Sequence, residues 1–116
     1  MLLFKTYHID AILSGVKTQT RRAWKRPRVR VGAVHQAKTN YFRAGCFGHI
    51  RITGLRRERL GAISEADARA EGGYSIEEYR RVWEEINGAW TPDLEVWVVD
   101  FEYLPDLVED RKIKED

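Results

Sequence analysis

The sequence predicts an α+β domain built on a mixed, partly closed β-sheet. Two observations carry that prediction. Period-two apolar runs mark long strands, clearest in "CFGHIRITGL" and "LEVWVVDFEYL". Helical spacing appears in the first connection and again just before the last strand, an order that interleaves helices with a sheet. At 116 residues the chain has room for one domain with a single modest core.

The elements follow in order. "MLLF" is a short opening strand. "TYHIDAILSG" carries Ile9, Ile12 and Leu13 at helical spacing, with Gly15 at the C-cap. "VKTQTRR" is β-branched and polar, as expected of an exposed strand. "KRPRVRVG" is a connection, and "AVHQAKTNYF" a strand followed by a loop. In the next strand Cys46, Gly48, Ile50 and Ile52 share one face, and Phe47, His49, Arg51 and Thr53 the other, with Gly54 marking a bulge or bend. Ser64 with Asp67 resembles a capping box, and Gly72-Gly73 closes that short helix. Ser75 with Glu78 is a fuller box, opening a helix with an apolar stripe of Ile76, Tyr79, Trp83 and Ile86. Arg80/Glu84 and Arg81/Glu85 are i, i+4 pairs on its wet side. Asn87-Gly88 ends it. "LEVWVVDFEYL" is apolar on both faces and so predicts a central strand. The domain is read as residues 1–104, with a charged tail over 105–116.

Composition narrows the function classes. Hydrophobic residues make up 43% and charged residues 33%, a globular and not a disordered balance. No apolar run approaches the ~20 residues that span a bilayer, and "MLLF" is too short for a signal-peptide core, so the expectation is a cytoplasmic protein without a membrane partner. Cys46 is the only cysteine, and no Cys/His group has zinc spacing, so neither metal nor cofactor is expected. The net charge of +2 conceals an asymmetry: residues 1–64 hold 14 Lys/Arg against Asp10 and Glu58, and residues 65–116 hold 6 against 16 acids. Either the first half presents a basic face to a polyanion, or the halves interleave and neutralise one another.

Two stretches stand out chemically. "RRAWKRPRVR" places Arg21, Arg22, Lys25, Arg26, Arg28 and Arg30 around Trp24. Guanidinium forks suit phosphates and an indole suits a base, the combination expected for RNA or another single-stranded nucleic acid. The competing reading is a solvated loop with Trp24 packed inward. Trp90, in the loop "NGAWTPD", is a candidate pocket residue, whereas Trp83 and Trp97 read as core.

"HIDAILSGVKTQTRR", followed by "VG", a long strand, "EGGYSIEEYRRVWEEING" and a terminal "VWVVDFEYL", resembles an ASCH domain. The resemblance runs from about Phe4 to Tyr103 and rests on a G-x-K-x-x-T-x-R pattern (Gly15, Lys17, Thr20, Arg22) with an acidic helix end at "AEGGYS". It implies a small β-barrel related to the PUA fold of RNA-modifying enzymes, RNA binding, and in some members RNA hydrolysis. A bacterial branch is an acetylcytidine amidohydrolase using a lysine, a threonine and a glutamate, which by motif fall on Lys17, Thr20 and Glu71.

The residue chemistry is compatible with that implication. A threonine hydroxyl needs a neighbouring base. A lysine serves if burial or nearby cations depress its pKa, and a glutamate can pass a proton to a leaving amine. Lys17 and Thr20 point to opposite faces of a regular strand, so they converge only if Lys17 belongs to the turn after Gly15 or a bulge intervenes. Glu71 sits against the negative end of its helix, which calls for a cationic partner, Lys17 or Arg22. The expected site is a nucleotide-sized cleft between "KTQTRR" and the Glu71 helix end, with Gln19 and Trp90 in its wall. The longer "QAKTNYFRAGCFG" segment and the basic first half depart from the amidohydrolase branch and favour a polymer. Three functions follow: an RNA-binding module, with or without weak ribonuclease action, an amidohydrolase of an acylated nucleoside, or a non-enzymatic interaction domain.

Overall fold

A computed structural model describes residues 1–107; the charged tail expected over 105–116 lies mostly outside the described residues. One sheet contains β1 (Leu2–Leu3), β2 (Gln19–Arg22), β3 (Val34–Lys38), β4 (Cys46–Arg59) and β5 (Glu95–Tyr103), in the order β1-β3-β4-β5-β2. β1 runs parallel to β3 and the other pairings are antiparallel, so the sheet is mixed. A 3₁₀ turn at Thr6–His8 leads into α1 (Ile9–Leu13), and α2 (Glu65–Gly72) and α3 (Ile76–Asn87) precede β5.

The curl comes from β4. Its first half pairs with β3, and from Ile50 onward it pairs with β5. Within the β5 pairing the register shifts, with Ile52 opposite Phe101 but Gly54 opposite Asp100. The extra residue, Thr53, makes a bulge that bends the strand. Gly54 is required there, because a Cβ would lie 2.7 Å from the Asp100 carboxylate. The bend brings the edge strands β1 and β2 toward each other, and Arg22 Nη2 spans the gap to donate to Leu3 O at 2.7 Å. The result is a half-barrel with an open seam.

β5 is central, as its two apolar faces predict. Val99 and Phe101 point into the barrel with Leu2, Phe4, Ile12, Ala37, Ile50 and Ile52. Val96 and Val98 point the other way, against Leu60, Ile63, Ala68, Tyr79 and Trp83 under α2 and α3. Ser75 and Glu78 form the full capping box, whereas Ser64 only accepts from Asp67 N. β2 is an edge strand but not an exposed one: Gln19, Thr20 and Arg21 are buried. Its outer side is covered by α2, whose Ala70 O accepts from Thr18 N at 2.8 Å.

Candidate functional site

The open seam is a cleft of about 240 Å³. Its walls are Leu3, Phe4 and Lys5 from the β1 side, Lys17, Thr20, Arg21 and Arg22 from the β2 side, and Glu71, Tyr79, Trp83 and Ile86 from the helices. His8, Thr39, Val82 and Asn87 also line it.

Lys17 precedes β2, in the turn after Gly15 (φ +81°), where its N–H donates to Ala11 O. That placement removes the parity problem and lets Lys17 and Thr20 share the cleft. Lys17 Nζ uses its three protons on Gln19 O (2.7 Å), Glu71 O (2.8 Å) and Glu71 Oε1 (3.0 Å). The second of these satisfies an orphan carbonyl at the C-terminal end of α2. Lys17 thus neutralises both the Glu71 carboxylate and the helix dipole that opposes it.

Alternation along β2 sorts the rest. Arg21 faces α2: Nη1 donates to Glu71 Oε2 at 3.0 Å and to Gln19 Oε1, and Nη2 to Glu58 Oε2 (2.8 Å) and Asp67 Oδ2 (3.2 Å). Gln19 is held from beneath by Asp100 Oδ1 at 2.7 Å, the carboxylate that the Gly54 bulge accommodates. Thr20 and Arg22 face the seam, where Arg22 Nε donates to Thr20 Oγ1 at 3.0 Å and its guanidinium lies 5.1 Å over the Phe4 ring. Buried Arg21 Nε has no partner among the described residues.

Burial pushes the Lys17 ammonium below its ordinary pKa, with Glu71 opposing the shift. Arg22 is lowered too, burial again being the main cause. His8 falls to about 4 through burial and the nearby Lys17 and Arg22 charges, so its ring is neutral at physiological pH. Its Nε2 lies 2.8 Å from Tyr74 Oη. Burial and Glu71 raise Tyr79, which stays a neutral phenol.

The structure therefore gathers Lys17, Thr20, Arg21, Arg22 and Glu71 in one cleft, with Glu71 paired to Lys17 and Arg21 and not to Arg22. It does not bring Gln19 and Trp90 into the wall. Gln19 lies beneath it as a brace, and Trp90 packs on the helix-side core with its ring 6.3 Å from that of Tyr79. Trp24 is partly packed against the barrel core, with Arg28 5.9 Å over its outer side. Lys25, Arg26 and Arg28 are exposed. The charge halves interleave in part, since Lys17, Arg21, Arg57 and Arg59 of the first half pair with Glu71, Asp67, Glu95 and Asp93 of the second. Lys25, Arg26, Arg28 and Arg30 form no such pair with a described residue. Sequence reasoning missed His8, although its spacing of four from Ile12 places it on the inward side of the first helix.

Solved structures share this architecture. An ASCH domain from Lactobacillus crispatus JV V101 is 18% identical, with TM-score 0.61, over 88% of this chain and 76% of that one. The ASCH protein of Zymomonas mobilis is 15% identical, with TM-score 0.60, over 98% and 75%. The chain has the ASCH-domain fold. An Enterococcus faecalis V583 protein is similar over 90% of this chain and 82% of its own, at 20% identity and TM-score 0.65. No family model and no curated protein matches the sequence. In this ASCH fold the seam between the edge strands is where the charged residues converge. Among the described residues, no three His, Cys, Asp or Glu are grouped to hold a metal ion, and no helix is long and apolar enough to cross a membrane.

Proposed function

We propose that this protein binds single-stranded RNA, taking one nucleotide into the seam cleft. The observation that carries the reading is the cleft itself, a small pocket with a cationic wall and an aromatic and aliphatic lining. Its 240 Å³ falls below the roughly 300–1,000 Å³ of drug-sized ligand sites, so it suits one nucleobase or nucleoside. Arg22 on the wall supplies a guanidinium donor, and Phe4 and Tyr79 contribute aromatic lining. The exposed run Lys25, Arg26, Arg28 and Arg30 begins three residues beyond Arg22 and offers sites for the flanking phosphates. Co-crystallisation with a short single-stranded RNA tests this. A base is expected in the cleft within contact of Arg22 and Glu71, and RNA bound only elsewhere refutes it.

A second reading, hydrolysis of an acylated nucleoside, is favoured by one observation: burial lowers the Lys17 pKa beside a threonine hydroxyl in the same cleft. Lys17 would first release one of three engaged protons, and Thr20 Oγ1 would leave Arg22. These engaged groups support the binding reading over this one. Lys17→Arg separates the two readings, because arginine stays protonated and cannot act as a base. A hydrolase would lose turnover of acetylcytidine by orders of magnitude, whereas a binder would keep most of its RNA affinity.

A further inference from the structure

The loop between β3 and β4 holds the two most exposed aromatic side chains among the large hydrophobics, Tyr41 at 75% and Phe42 at 76% relative exposure. Leaving such rings in water forgoes the burial that stabilises a core aromatic. Yet the backbone beneath them is hydrogen-bonded. Asn40 Oδ1 accepts from Phe42 N at 2.8 Å, Lys38 Nζ donates to Tyr41 O at 3.3 Å, and Gly45 N donates to Phe42 O at 3.0 Å. A Cβ on Gly45 would collide with Asn40, so the glycine admits this tight turn. The loop presents two rings on a hydrogen-bonded turn.

Its position matters as much as these bonds. The loop leaves the sheet at Thr39, which lines the cleft, and Lys38 O receives the amide of Phe4, another lining residue. Lys5, on the cleft wall, and Arg43, inside the loop, are exposed cations nearby in the fold or sequence. No Asp or Glu occurs between Asp10 and Glu58. Rings displayed among cations, with no acid in that part of the chain, fit stacked bases joined by phosphates. An apolar protein partner would not need the cations.

We infer that Tyr41 and Phe42 form a stacking platform for a nucleobase of single-stranded RNA neighbouring the nucleotide held in the cleft. This rests on the nucleotide reading of the cleft and specifies its ligand as a polymer. Stacking on an aromatic ring is sequence-tolerant, so the platform adds affinity and length dependence without base choice.

The test compares wild type with the double variant Tyr41→Ser/Phe42→Ser, using a labelled ten-nucleotide RNA of mixed sequence and, separately, a mixture of the four ribonucleoside monophosphates. Because both rings are exposed, the double variant is expected to keep the wild-type melting temperature. Affinity for the ten-nucleotide RNA is expected to fall about tenfold or more, with monophosphate binding unchanged. Tyr41→Phe should retain wild-type affinity, since the ring remains. Equal decamer affinity in wild type and double variant overturns the platform while leaving the cleft reading intact. A wild type that binds neither probe overturns both. A wild-type dimer that the double variant dissolves, with RNA affinity unaltered, assigns the rings to a contact between copies and also overturns the proposal.

Discussion

Lys17 and Glu71 are joined twice: the ammonium donates to the carboxylate at 3.0 Å and to the main-chain carbonyl of the same residue at 2.8 Å. Both side chains are almost wholly buried. The pair ties the turn before β2 to the end of α2 and sets the floor of the cleft.

Removing one partner leaves an uncompensated buried charge. Glu71→Ala deprives both Lys17 and Arg21 of their shared carboxylate, and the expected loss is roughly 3–5 kcal/mol. Urea unfolding followed by circular dichroism measures it. A loss below about 1 kcal/mol would mean that water reaches the pair freely.

The pH dependence of stability has a definite sign at His8. Its pKa is lowered from 6.5 to about 4 in the folded protein, so the unfolded chain takes up the proton first. Stability from this residue is complete above the unfolded pKa and is lost as pH falls from about 6.5 toward 4. A proton NMR titration of the ring should give a midpoint near 4, and urea midpoints should fall more between pH 7 and 4.5 in wild type than in His8→Asn. A ring titrating near 6.5 contradicts the buried, cation-flanked placement.

Arg22 is the clasp of the seam, bonded to Leu3 O on one edge strand and to Thr20 Oγ1 on the other. Arg22→Lys keeps the charge but not the fork that reaches both. Amide exchange at Phe4, whose N–H bonds Lys38 O, should accelerate, and stability should drop by about 1.5–3 kcal/mol, the scale of a hydrogen bond to a charged group. Unchanged exchange at Phe4 would show that β1 holds its place without the clasp.

Salt dependence reports on the basic run. Arg26→Ala with Arg28→Ala should weaken binding to single-stranded RNA uniformly across sequences. The slope of log affinity against log salt should flatten by about 0.7 per phosphate contact removed. An unaltered slope assigns the run to solubility alone.

Much of this fold was legible because its signals are local. The alternation in β4, the Gly54 bulge, the Ser75/Glu78 box and the doubly apolar β5 depend on neighbours within a few residues, and each stands where its pattern placed it. β2 was misjudged as exposed for the opposite reason. Gln19, Thr20 and Arg21 carry polarity that normally marks a surface, and only the distant Glu58, Asp67 and Glu71 make their burial tolerable. Within the site, Lys17, Thr20 and Glu71 came from a spaced motif, but the second member of the Glu71 pairing, Arg21 and not Arg22, follows from strand parity only once the start of β2 is known. Trp90 was placed in the pocket because it lies in a loop, yet the loop folds its ring back onto the helix-side core.

The most direct test of the nucleotide-in-the-seam reading is a ¹H–¹⁵N chemical-shift map of the protein titrated with a ten-nucleotide single-stranded RNA. The expected footprint combines the amides of Lys17, Thr20, Arg21, Arg22 and Glu71 with those of Tyr41 and Phe42 and of residues 25–30. Shifts confined to residues 25–30, with the cleft amides unmoved at saturation, would contradict it and leave a basic surface that binds phosphate without a pocket.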